Sequence, residues 1–133
     1  MAKKTKTIGK LKKELQPIFN EYIRLRDNGR PCISCGSYSK LQAGHFYAVG
    51  GYDGLRFNED NVHGECSRCN CWDESHLIPY ADNLKIKIGD SDYNDLKQAA
   101  SEYKMNGYKF SRSELLDLIE IYKEKVRLLK NNN

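Results

Sequence analysis

Apolar residues recur at helical spacing near the start of the chain. Leu11, Leu15, Ile18, Tyr22, Ile23 and Leu25 fall largely on one face, which predicts a helix over Leu11–Asp27 that Asn28-Gly29 stops. Pro17 lies inside this pattern and is expected to kink the helix or to start its main part. Leu41–Val49 and Leu55–Phe57 then read as two short strands around Gly50-Gly51 and Asp53-Gly54, a loose hairpin. A helix is expected from Cys66 to about Ser75, and another from Pro79, with Leu84, Ile86 and Ile88 preceding Gly89. Asp90–Lys104 reads as a further helix ended by Asn106-Gly107. Ser111-Arg112-Ser113-Glu114 is a capping box that opens the last one. There Leu115, Ile119, Tyr122, Val126 and Leu129 are spaced 4, 3, 4, 3. This is a heptad seam of about two heptads, which suits packing on the chain's own core or a short dimer contact. The pattern predicts an α+β chain, with a basic tail at 1–9 and a single domain at 10–133.

Composition makes that core thin. Apolar residues, Tyr and Cys included, make up 39% of 133 residues, low for a globular domain of this size, so a staple is expected. No run reaches the roughly 18 apolar residues of a membrane span, so no membrane partner is expected. The first 13 residues carry six Lys and no apolar stretch, unlike a secretory signal. The net charge of +4 permits a polyanionic partner without requiring one.

The staple is written in the cysteines. Cys32, Cys35, Cys66 and Cys69 form two C-x2-C pairs, each able to present two thiolates from one tight turn. Two such knuckles complete the tetrahedral sulfur set that structural Zn²⁺ prefers. A disulfide framework calls for an oxidising compartment, and a redox C-x-x-C normally occurs once, after a strand. The fifth cysteine, Cys71, is left over.

Between the knuckles lies AGHFYAVGGYDGLRFNEDNVHGECSRCN, Ala43 to Asn70. His45 falls on the first predicted strand, Asn61 in the following loop, and Asn70 directly after Cys69, nine residues beyond Asn61. This resembles the HNH, or ββα-metal, nuclease motif in its zinc-bearing form, here as H-N-N. The resemblance implies a small zinc-stapled treble-clef or ββα-metal core flanked by α-helices, with His45, Asn61 and Asn70 as catalytic residues. A neutral imidazole can take a proton from water, which suits His45 as general base. A catalytic Mg²⁺ or Mn²⁺ would stabilise the developing charge. The amide oxygen of Asn70 is a suitable hard ligand, and Asn61 could hold the histidine strand in register. Where many HNH enzymes carry an acidic or His ligand before the base, this chain has Gly44. A replacement ligand is sought among Asp60, His63, Glu65, Asp73, Glu74 and His76, with His63 ranked first for its place between Asn61 and the second knuckle.

A closer resemblance rests on FNEYIRLRDNGRPCISCG, AGHF, LRFNEDNVHGEC, CN and HLIPY. Together these resemble the phage lambda NinG (Rap) recombination endonuclease family. That likeness implies a cytoplasmic phage protein cutting branched DNA, such as Holliday junctions and D-loops, in the bacterial host. Phosphate contacts are expected from Arg56 and Arg68, which flank the motif, and from Lys10, Lys12 and Lys13. Lys3, Lys4, Lys6, Arg24, Arg26 and Arg30 are further cations for the same use. A four-way junction needs two nicks, so a homodimer is expected. The competing reading is a non-catalytic zinc module that binds DNA or protein.

Overall fold

The computed structural model describes residues 5–132. Helix α1 runs Ile8–Arg26, opened by Thr7, whose Oγ1 accepts the Lys10 amide at 3.1 Å. Pro17 sits within it without ending it. Pro17 and Lys13 both lie on the exposed face, where the carbonyl deprived of its partner meets water. The buried stripe Leu11, Leu15, Phe19 and Ile23 faces α4, Arg112–Asn131, whose cap is the expected box: Ser111 Oγ accepts the Glu114 amide at 3.0 Å.

The two helices run parallel. Arg112 at the start of α4 donates to the Lys6 carbonyl at the start of α1, and Lys130 meets Glu21 at 2.7 Å near the other ends. Leu115, Ile119 and Tyr122 are buried against the α1 stripe. Phe19 packs edge-on with Tyr122 (4.9 Å) and Phe57 (5.8 Å). The heptad seam is therefore consumed inside the chain by a helix more than 80 residues away.

β1 (Leu41–His45) and β2 (Val62–Cys66) pair antiparallel, with Gln42 opposite Glu65 and Gly44 opposite His63. The second strand thus differs from the expected Leu55–Phe57. That stretch is a tight turn in which Leu55 drops into one apolar cluster and Phe57 into another. β2 itself is buried at every position, so its sequence shows no alternation of polar and apolar residues.

The helix expected from Cys66 to Ser75 is also absent. Cys66 closes β2, Arg68–Trp72 form one π turn and Glu74–His76 one 3₁₀ turn. α2 (Leu77–Ile88) begins two residues before Pro79, and Gly89, at φ 88°, separates it from α3 (Asp90–Asn106). Leu55, Tyr80, Leu84, Tyr93 and Leu96 form the core under these two helices. No helix among the described residues is long and apolar enough to cross a membrane.

One buried carboxylate fastens these layers. Asp27, 1% exposed and just after α1, accepts from Arg26, from the Gly64 amide of β2 (2.8 Å) and from Lys87 of α2 (2.8 Å). Burial works against its charge. The bonds from Arg26 and Lys87 win and hold the carboxyl far below the usual range. A depressed folded-state pKa contributes stability that is complete above the unfolded value near 4 and drains away as pH falls below it. Asp27→Asn is expected to cost about 2–4 kcal/mol, because it takes the buried countercharge from two half-buried cations, Arg26 and Lys87. It should also flatten the loss of stability below about pH 4, a change that urea melts across pH will read.

Candidate functional site

The four paired cysteines converge. The sulfurs of Cys32, Cys35, Cys66 and Cys69 all lie within 4.8 Å of one another, and those of Cys35 and Cys66 are 3.7 Å apart. Around an ion with bonds of ~2.3 Å, a tetrahedral edge measures about 3.8 Å. The first knuckle is shaped by Gly36 at φ 77°, and the amides of Cys35 (3.4 Å) and Cys66 (3.3 Å) point at the Cys32 sulfur. These are free thiols held in a sulfur cage, placed to hold a metal ion such as zinc. Cys71 stands apart, exposed, with its sulfur 3.5 Å from Gln42 Oε1.

His45 ends β1, half-buried. Its Nε2 lies 3.0 Å from the Arg56 carbonyl, which can only accept. Nε2 therefore carries the proton and Nδ1 holds the lone pair. Among the described residues no protein group caps that nitrogen. Burial lowers the pKa of the ring below its ordinary value, against the pull of the Arg56 carbonyl, so the neutral base prevails at neutral pH.

The residue before the anchoring carbonyl, Leu55, is held by Asn61, which is fully buried. Its Oδ1 accepts the Tyr47 amide (2.8 Å) and its Nδ2 donates to the carbonyls of Tyr47 and Leu55 (both 3.1 Å). Asn61 thereby ties the chain just past His45 to the chain just before Arg56. Tyr80, overlooked in the sequence, braces the same strand end by donating to the Gly44 carbonyl at 2.6 Å. Burial keeps its phenol protonated for that bond.

Asn70 sits in the π turn, half-buried, with its Nδ2 on Gln42 Oε1 at 2.9 Å and its own amide oxygen left for other use. Gln42 and Glu65 are register partners on one face of the hairpin, the face that Gly44 and His63 share. Glu65 is fully buried there. Its Oε2 accepts from Ser34 Oγ and faces His76 Nδ1, each at 2.5 Å.

His63 differs from the expectation of a cation ligand. Its Nε2–H donates to the Asp60 carbonyl (2.8 Å) and its Nδ1 accepts from Arg26 (3.1 Å), so both nitrogens are spent. Burial, with Lys87 and Arg26 close by, pushes its pKa down to about 3. Asp60 engages only through its backbone in that contact, and the Asp73 carboxylate caps Ser75. The Glu74 side chain lies outside what the structure describes.

The basic residues divide as well. Arg56 is bound to Gln16 (2.9 Å) and Asp53 (3.1 Å), and Lys12 to Asp53 (2.6 Å). Both serve the fold rather than standing free, as does Arg26. Lys10, Lys13, Arg24, Arg30 and Arg68 are exposed, and Lys3 and Lys4 lie outside the described residues.

Comparison with known proteins agrees along nearly the whole chain. The family model described as Bacteriophage Lambda NinG protein matches residues 1–132. Protein ninG of Escherichia phage lambda is 33% identical over 122 residues, 90% of this chain and 57% of that one. Protein ninG of Escherichia phage 933W is 32% identical, and that of Salmonella phage P22 31%, each over 122 residues, 90% of this chain and 58% of theirs. The chain thus spans somewhat under three-fifths of the length of these curated relatives. No solved structure matches it significantly.

Proposed function

Because the chain belongs to the bacteriophage lambda NinG family, we propose that it is a metal-dependent endonuclease that hydrolyses phosphodiester bonds in branched DNA, such as Holliday junctions and D-loops, during phage recombination in the host cytoplasm. The observation that carries this reading is the state of His45: an oriented, neutral imidazole with Nε2 fastened to a carbonyl and Nδ1 uncapped. In this HNH-like arrangement Nδ1 takes the proton from the attacking water. Asn61 fixes the loop whose carbonyl aims the ring, so its part is positioning.

Zinc in the four-cysteine cage is structural, since four thiolates leave no open position for substrate. A catalytic Mg²⁺ or Mn²⁺, when bound, supplies charge stabilisation at the leaving oxygen, and the Asn70 amide oxygen is a ligand fit for it. Lys10, Lys13 and Arg68 remain exposed to meet phosphates.

A four-way junction carries two strands to nick, so two copies are proposed to act on it together. Their contact lies elsewhere than the α4 seam, which α1 already covers. The test is cleavage of four-way, linear and single-stranded DNA with Mg²⁺ or Mn²⁺, wild type beside His45→Ala. If the wild type cuts none of these, the chain is instead a zinc-bearing binding module.

A further inference from the structure

Glu65 is left incompletely satisfied. It is fully buried, and its Oε1 is the buried side-chain atom without a hydrogen-bond partner among the described residues. The neighbouring cations do not serve it. Arg26 and Lys87 are spent on Asp27, and Tyr80 gives its hydroxyl proton to Gly44. Ser34 and His76 both approach the other oxygen, Oε2. A buried carboxyl oxygen left without a partner is costly unless some other group completes it.

The bare oxygen points at Gly44. A Cβ built on Gly44 would collide with Glu65 Oε1, so the missing side chain leaves the space that the carboxylate uses. The surrounding donors are those a divalent cation takes: the Glu65 carboxylate, the His76 imidazole, and the amides of Gln42 and Asn70 on the same face. We propose that Glu65, seated against Gly44, and His76 hold a divalent cation of the Mn²⁺ or Mg²⁺ class. Ion binding stands on this geometry alone; the ion's service to His45 rests on the nuclease reading. Mixed oxygen and nitrogen donors suit Mn²⁺, with waters completing its shell.

The measurement is Mn²⁺ binding to zinc-loaded, full-length protein, by electron paramagnetic resonance and calorimetry. The wild type is expected to take up one Mn²⁺ per chain. Glu65→Gln and His76→Ala are each expected to weaken that binding at least about tenfold, with zinc content unchanged. His76→Ala leaves Glu65 in place, and decides the matter should Glu65→Gln fail to fold. The proposal is overturned if the wild type binds no Mn²⁺, or if the folded variants bind it as the wild type does. Mn²⁺ bound through these residues without cleavage of any DNA leaves the site standing and sinks the nuclease reading. Cleavage at the wild-type rate in variants that have lost Mn²⁺ removes the ion from the reaction and leaves that reading intact.

Discussion

Cys69→Ser abolishes the folded state at 37 °C. The cage joins the knuckle before β1 to the turn after β2, across the 36 residues between Cys32 and Cys69. A structural zinc site contributes roughly 10–16 kcal/mol in small peptides, as much as the whole net stability of an ordinary domain at about 5–15 kcal/mol. The hydrophobic clusters here are small and divided: one under α1 and α4, the other under α2 and α3. The cysteine cluster is the third, and it lies where β1, β2 and the first knuckle meet. Chelation by excess EDTA at 37 °C is expected to have the same effect as the substitution, with near-ultraviolet circular dichroism lost and restored on adding Zn²⁺. Cys71→Ser, by contrast, should melt as the wild type does, because Cys71 is exposed and outside the cage. Persistence of the wild-type spectrum in zinc-free protein would refute the structural role.

On the nuclease reading, His45→Ala is expected to lower the rate of junction cleavage by about 10²–10⁴-fold, the range typical for loss of a general base. The side chain is half-buried and its one hydrogen bond goes to a backbone carbonyl, so the loss should fall on the rate constant, with DNA affinity and zinc content unchanged. Burial lowers the His45 pKa, which gives the pH dependence a definite sign. The base works when deprotonated. Cleavage should therefore fall as pH drops through a midpoint below about 6.5, the ordinary imidazole value, and hold steady above it. Added imidazole should restore part of the activity to the alanine variant while leaving the wild type alone. An alanine variant that cuts as fast as the wild type places the base elsewhere.

Much of this arrangement can be read in the residues, and the parts that cannot share a cause. Local features survive into the structure: the stripes of α1 and α4, the capping box at Ser111, and the C-x2-C spacing. What misleads is burial on two sides. β2 is Val-His-Gly-Glu-Cys and entirely enclosed, so His63 and Glu65 look like surface residues until their partners are seen. Leu55 and Phe57 look like a strand because both are apolar, yet they serve two different clusters.

Arg56 flanks the motif and reads as a phosphate contact, while Asp53 and Gln16 hold it to the fold. The Glu65–His76 contact depends on one π turn and one 3₁₀ turn folding the chain back, which no periodicity announces.

The parallel pairing of α1 with α4 also sets a schedule. Translation delivers His45 and both knuckles roughly sixty residues before α4 is complete, about 3–12 s at ~5–20 residues per second. Until then the α1 stripe that supports the hairpin has nothing covering it. A nascent chain would thus carry every residue of the site without the scaffold that makes the site rigid. On the nuclease reading, cutting waits until α4 has docked on α1.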